Sequence, residues 1–320
     1  MKEIIITKND SGQRTDKFLM KYFSKAPKSF VYKMLRKKRI KLNGAKADGA
    51  EMLNEGDSIQ MYLSEETMDG FKEERVIKKV SSDIDVVYED ENIIAVNKQA
   101  GVLSHAEKAG DDDTLIDRIL SYLNEKGEYA PEKERTFVPA LCNRLDRNTS
   151  GIVIAGKNSE ALRQINEAVK LKSIKKYYKT LVCGKIEKSG RLEDFYEKDS
   201  QLNKAKVGGK EGKIITTIYR PLKTNGRYTL AEVELITGKS HQIRVHMASA
   251  GFPIIGDVKY GNKQENEYFR KKAGVKRQML HAYKMVFEGL KGELAYLNGK
   301  TITADVTKDF KCAEKEIFGI

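Results

Sequence analysis

From about residue 83 onward the chain offers one β-branched or aromatic run after another, at residues 84–88, 93–96, 152–155, 177–182, 214–219 and 228–236. Such side chains fit a pleated, half-buried surface. Many successive runs are joined without room for the crossover helix that a parallel pair requires. This spacing predicts a mixed, largely antiparallel sheet. Helices are expected at residues 114–123 and 159–169; in the second, Ala161, Leu162, Ile165, Ala168 and Val169 share one face.

The first 63 residues obey a different pattern. Asp16 is expected to cap a helix carrying Phe18, Leu19, Tyr22 and Phe23, and Pro27 with Ser29 to open a second carrying Phe30, Val31, Met34 and Leu35. Short strands at residues 40–42 and 58–63, with a turn at Asn43 and Gly44, close the unit. The 320 residues therefore divide into a small domain (12–63), a charged linker without apolar period (64–82) and a large domain (83–320), an α+β chain overall.

Charge points to the partner. The formal net charge is +13, and residues 25–41 hold eight Lys or Arg and no acid. A basic surface attracts phosphate backbones through its field and through counterion release, so nucleic acid is the first expectation, with a solvated helix face and a membrane-surface helix as the other readings of the run. No apolar stretch is long enough to cross a membrane, and the start lacks signal-peptide features, which predicts a cytoplasmic protein. Cys142, Cys183 and Cys312 are scattered and lack CxxC spacing, arguing against disulfides and structural zinc.

Two segments look chemical. In NRLDRNTSG (143–151), Arg144 and Arg147 bracket Asp146 on a loop between apolar runs, a setting for a carboxylate that stays ionised beside phosphate. In LITGKSHQIRVHMASAGFPIIGDVKYG (235–261), Ser240 is expected to cap a helix running to residue 250. Its first turn gathers Lys239, His241, Gln242 and Arg244 at a phosphate-binding end. Residues 238–240 lack the first glycine of a P-loop, and His241 and His246 lie about 140° apart on a helix, so neither a nucleotide hydrolase nor a metal pair is indicated. His105 and His281 are expected to be hydrogen-bonded structural histidines.

NRLDRNTSG, together with KKYYKTLVCG (175–184), the 235–261 segment and MLHA (279–282), resembles the RluA/RluC/RluD type of pseudouridine synthase. PKSFVYKMLRKKRIKLNG (27–44) and NEGDSIQMYL (54–63) resemble an S4 RNA-binding domain. The resemblance is closest to the RluC-like enzymes of large-subunit ribosomal RNA. It implies Asp146 as the catalytic aspartate, Tyr178 and Arg244 as further active-site residues, and Leu280 as an apolar contact to the target base. Asn143 stands where the family commonly has histidine. Arg144, Arg147, Lys239, His241 and Gln242 are expected to contact substrate, and Arg36, Lys37, Lys38 and Arg39 the RNA beyond it. By the same resemblance Asp146 attacks sugar or uracil, or removes a sugar proton, and Tyr178 stacks on the base and helps remove the C5 proton. No cofactor or metal is implied, and a monomer is expected. A transfer-RNA pseudouridine synthase and a non-catalytic, RNA-binding ribosome-assembly protein are the alternative readings.

Overall fold

A computed structural model describes residues 1–73, 75–199 and 204–319. The N-terminal unit comprises β1 (Lys2–Ile5), α1 (Thr15–Tyr22), α2 (Lys28–Arg36), β2 (Ile40–Leu42), β3 (Ala45–Lys46), β4 (Ser58–Met61) and α3 (Glu65–Gly70). Its sheet runs β1-β4-β2-β3. Phe18, Leu19, Phe23, Val31, Leu35, Ile40, Ile59 and Met61 form a core of its own.

Three local expectations change here. The unit begins ten residues before position 12, because β1 pairs antiparallel with β4. Asp16 lies inside α1, whose N-cap is Arg14; its carboxylate accepts from Arg14 and from the Tyr32 hydroxyl instead of the helix end. Within the expected linker, Ser64 accepts from the Thr67 amide to cap α3, and Met68 packs into the core. One buried side chain per short helix leaves no period to read.

The larger unit follows as β5 (Val86–Glu89), β6 (Ile93–Lys98), α4 (Leu115–Glu125), β7 (Ala140–Leu141), β8 (Ser150–Gly156), α5 (Ser159–Lys170), β9 (Ile174–Cys183), β10 (Gly190–Asp199), β11 (Lys204–Val207), β12 (Lys213–Thr224), β13 (Tyr228–Leu235), α6 (Gln242–Ser249), α7 (Lys263–Ala273), β14 (Leu280–Phe287), β15 (Thr301–Thr303) and α8 (Lys308–Phe318). The main sheet path is β11-β10-β12-β13-β9-β14-β8-β6-β5, with β15 on β14 and β7 on β8. Among these pairings only β14–β8 is parallel, so the sheet is mixed and largely antiparallel as expected.

That parallel pair positions the site. Gly151 lies beside Ala282, and Ala282 beside Tyr178, so the loop preceding β8 is delivered to the Tyr178 face of the sheet. Gly151 has φ +118°, and a Cβ there would stand 2.2 Å from the Ala282 carbonyl oxygen. Only glycine permits so close an approach. The face is lined by Leu145, Tyr178, Val233, Ile243, Leu280 and Ala282 within one core cluster.

The two units meet through polar bonds: Asn9 Nδ2 to Glu134 Oε1 at 2.7 Å, Thr136 Oγ1 to Asp10 Oδ1 at 2.8 Å, and Arg163 Nη1 to the Ser11 carbonyl at 3.0 Å.

Candidate active site

The segment 143–149 is held from both sides. Asn143 donates to the Ile152 carbonyl and accepts from the Ile154 amide, pinning the segment to β8. Its side chain is committed to backbone, so it braces the loop and is not available to substrate. Ser104 Oγ donates to the Leu145 carbonyl at 3.0 Å and accepts from the Leu145 amide at 3.2 Å. The Thr149 amide closes a turn on the Asp146 carbonyl at 3.0 Å.

Lys98 was not anticipated. It is 1% exposed, and its ammonium donates to the carbonyls of Gln99, Val102 and Arg147 at 3.0, 2.8 and 3.0 Å. Burial, then the charge of Arg277, pulls its pKa down to about 7. Its only sequence signal is a lysine ending a strand that opens on four apolar residues. Arg277, also unforeseen, donates to the Asn148 carbonyl while its fork clasps Asp309 at 2.7 and 2.8 Å.

The Asp146 side chain emerges from this braced loop 26% exposed. Arg244 Nη1 donates to its Oδ2 at 3.0 Å. The remainder of the guanidinium is engaged by Asp257, with Nε to Oδ2 at 2.7 Å and Nη2 to Oδ1 at 2.9 Å. Asp257 is fully buried and accepts from the amides of Lys259 and Tyr260 as well. Although burial opposes it, the guanidinium and these amides hold its carboxyl below the ordinary value. A bidentate pair of this kind fixes orientation as well as charge. Sequence reasoning missed Asp257, although it stands in the same 235–261 segment.

Tyr178 is 5% exposed, and burial, then Asp146, pushes its hydroxyl pKa well above the ordinary value. Its ring forms one wall of the site. Leu280, 3% exposed, stands opposite Thr180 on the neighbouring strand and completes that wall.

The helix α6 begins later than expected. Its N-cap is His241, at φ 57° and ψ 13°, not Ser240. Gln242 is 2% exposed and spent internally: Oε1 accepts from Thr237 Oγ1 and the Lys239 amide, and Nε2 donates to the Thr216 carbonyl and Thr217 Oγ1. It shapes the 237–239 loop rather than touching substrate, the correction to the expected contact. Lys239 and Arg144 are exposed. Arg147 is exposed too, but its Nε donates to the Gly101 carbonyl at 3.0 Å. Arg36, Lys37, Lys38 and Arg39 lie exposed on the other unit, and no contact brings them to Asp146.

His281 bonds Ser150 Oγ and the Ala304 carbonyl, as a structural histidine should. His105 departs from expectation: its Nδ1 is buried with no partner among the described residues, because Ser104 makes that loop's bonds. A cavity of about 300 Å³ lined by Tyr177, Tyr219, Arg220, Glu232 and Lys284 opens on the opposite face of the sheet, since Tyr177 and Tyr178 alternate along β9. It is not this site.

A partly buried carboxylate clamped by a buried guanidinium, beside an apolar wall and under a cationic rim, defines an enzyme site suited to a phosphate-bearing substrate with a flat, apolar-faced group. The sequence profile of RNA pseudouridylate synthase matches residues 92–249. An uncharacterized RNA pseudouridine synthase of Mycoplasma capricolum is 35% identical over 315 residues, spanning 94% of this chain and 97% of that one. Ribosomal large subunit pseudouridine synthase C is 28% identical in Haemophilus influenzae, over 97% and 92% of the two chains, and 33% in Rickettsia felis, over 83% and 87%. The fold is similar to that of human RNA Pseudouridylate Synthase Domain Containing 4, with a TM-score of 0.57 at 19% identity over 73% of this chain and 92% of that one. The chain belongs to the RNA pseudouridine synthase family and is an isomerase. Among the described residues no helix is long and apolar enough to cross a membrane.

Proposed function

We propose that this enzyme converts uridine to pseudouridine in large-subunit ribosomal RNA, with Asp146 as its catalytic residue. The observation that carries the assignment is the clamp: one carboxylate in the cleft, braced on a loop bonded at Asn143, Leu145, Arg147 and Asn148, with Arg244 held on it by Asp257. The ribosomal target is supported by the names of the synthase C relatives.

The reaction breaks the N1–C1′ bond, turns the uracil and rejoins it through C5, with no net redox change. It needs a single ionised carboxylate, as nucleophile or as base, and the hydrogen bond from Arg244 fixes the orientation of that carboxylate. Tyr178 and Leu280 offer the apolar wall against which an extruded uracil stacks, offsetting the few kcal/mol that leaving the RNA helix costs. Arg144, Lys239 and the exposed cations of the N-terminal unit hold phosphates.

The purified chain, dialysed against chelator, is expected to form pseudouridine in a large-subunit ribosomal RNA transcript without nucleotide or added zinc. Modification confined to transfer RNA would reject the target. No modification of either RNA would reject the activity for this chain.

A further inference from the structure

His241 has an unusual backbone and an unusual use. It occupies the left-handed region, uncommon for a non-glycine residue, at the N-cap of α6. An N-cap side chain ordinarily accepts an amide of the first turn; this one makes no such bond. The ring is turned into the cleft, 11% exposed, with Nε2 3.9 Å from Asp146 Oδ2.

The other ring nitrogen fixes where the proton sits. His241 Nδ1 lies 3.0 Å from the Tyr260 hydroxyl. That hydroxyl oxygen already accepts the Ala205 amide at 2.7 Å. A phenol has one proton to give, and with its oxygen already accepting from β11 the arrangement in which it gives that proton to Nδ1 satisfies both groups. Neutral His241 then carries its own proton on Nε2, the atom facing the carboxylate. Burial lowers the pKa of the ring, against the opposing charge of Asp146 and with Arg244 acting in the same direction as burial.

Both donors converge on one oxygen. Arg244 Nη1 and His241 Nε2 each approach Asp146 Oδ2, whereas Oδ1 has no partner among the described residues. Resting on the reading of Asp146 as the catalytic carboxylate, we infer that His241 is a positioning residue: as the Nε2–H tautomer set by Tyr260, it closes with Arg244 on Oδ2 and leaves Oδ1 to face the nucleotide. The 3.9 Å gap must shorten by about 1 Å to become a hydrogen bond, the tightening that catalytic contacts undergo when substrate binds. The same relay ties the carboxylate to the lysine-bearing β10–β11 hairpin. Ala205 on β11 holds Tyr260, and the Tyr196 hydroxyl on β10 donates to the Ser240 carbonyl at 3.2 Å.

The test uses the full chain with His241→Ala, His241→Gln and Tyr260→Phe, single-turnover pseudouridine formation, separate RNA-affinity measurements, and ¹⁵N spectra of the histidine rings. His241→Ala is expected to slow the chemical step ~10- to 100-fold with RNA affinity unchanged, because a misplaced reacting group costs rate rather than binding. His241→Gln, which keeps an N–H donor of similar reach, recovers most of that loss. Tyr260→Phe falls between them and shifts the His241 signal away from the Nε2–H form. A wild-type rate in His241→Ala, a loss that glutamine does not recover, or an Nδ1–H spectrum in the wild type each overturns the inference. Should His241→Ala not fold, Tyr260→Phe with an unchanged rate and spectrum overturns it. If the wild type makes no pseudouridine, the functional reading fails, while the spectrum still reports the tautomer independently.

Discussion

A guanidinium can lie almost wholly out of water at this site because Asp257 lies there with it. Arg244 is 6% exposed in its side chain and Asp257 0%, with two parallel hydrogen bonds between them. Removing one member of such a pair strands a buried charge, so Asp257→Asn is expected to lower unfolding stability by ~3–5 kcal/mol in urea titration and to release Arg244 from Asp146. The pH dependence follows from the depressed carboxyl of Asp257. The unfolded chain titrates it near 3.8 and the folded chain lower, so its stabilisation is complete above 3.8 and lost as pH falls through the lower folded value. Wild type should lose stability steeply below that point, and the variant less steeply; parallel acid curves would remove Asp257 as the cause. Asp146→Asn is expected to act differently, on turnover. Asparagine is neither base nor nucleophile near neutral pH, so a loss of ~100-fold or more is expected with RNA binding retained. A folded mutant keeping more than about a tenth of wild-type turnover, below ~1.4 kcal/mol of barrier, would return the 143–151 segment to a purely structural turn.

At the scale of elements, the long periodic segments were legible and the contact-dependent ones were not. α5 and the strands β6, β8, β9, β12 and β13 were visible because their apolar periods are set locally. α7, α8, β10 and β14 were not singled out, since α7 buries only Phe269 and β14 is defined by its partners β8 and β9. The site divides likewise. Asp146, Tyr178 and Arg244 are the positions to which the resemblance gives a role, whereas Lys98, and Asp257 and Tyr260 within the same segment as Arg244, acquire meaning only when the chain brings carbonyls, a guanidinium and an imidazole to them. Gly151 joins the two levels. A Cβ would strike the backbone of Ala282, which cannot yield without parting β8 from β14. Gly151→Ala is therefore expected to cost ~3 kcal/mol or more and to lower expression of soluble protein. A variant with wild-type melting would show that the β8–β14 approach is adjustable.

Across the whole molecule, the basic run at residues 36–39 and the Asp146 cleft lie on different units. The net charge is +13, and Arg36, Lys37, Lys38 and Arg39 are exposed at the end of α2, with their side chains making no hydrogen bond or ion pair among the described residues. Asp146 is on the other unit, and the two are joined by hydrogen bonds in which Asn9 donates to Glu134 while Asp10 and the Ser11 carbonyl accept from Thr136 and Arg163, rather than through this basic run. Replacing the four cations with glutamine should therefore weaken RNA binding while leaving the fold and the chemical step at saturating RNA unchanged. Each phosphate neutralised releases condensed counterions, and the dependence of log K on log salt measures how many. If the run covers ~4 phosphates, the slope should flatten by about 3 units at ~0.7 per contact. Affinity should therefore fall most at low salt, and wild type and variant should converge as salt rises and screening removes what the cations supplied. Equal slopes would show that these four residues do not meet RNA. A flattened slope accompanied by a slower chemical step at saturation would instead show that the N-terminal unit orients the nucleotide at Asp146 as well as holding the strand.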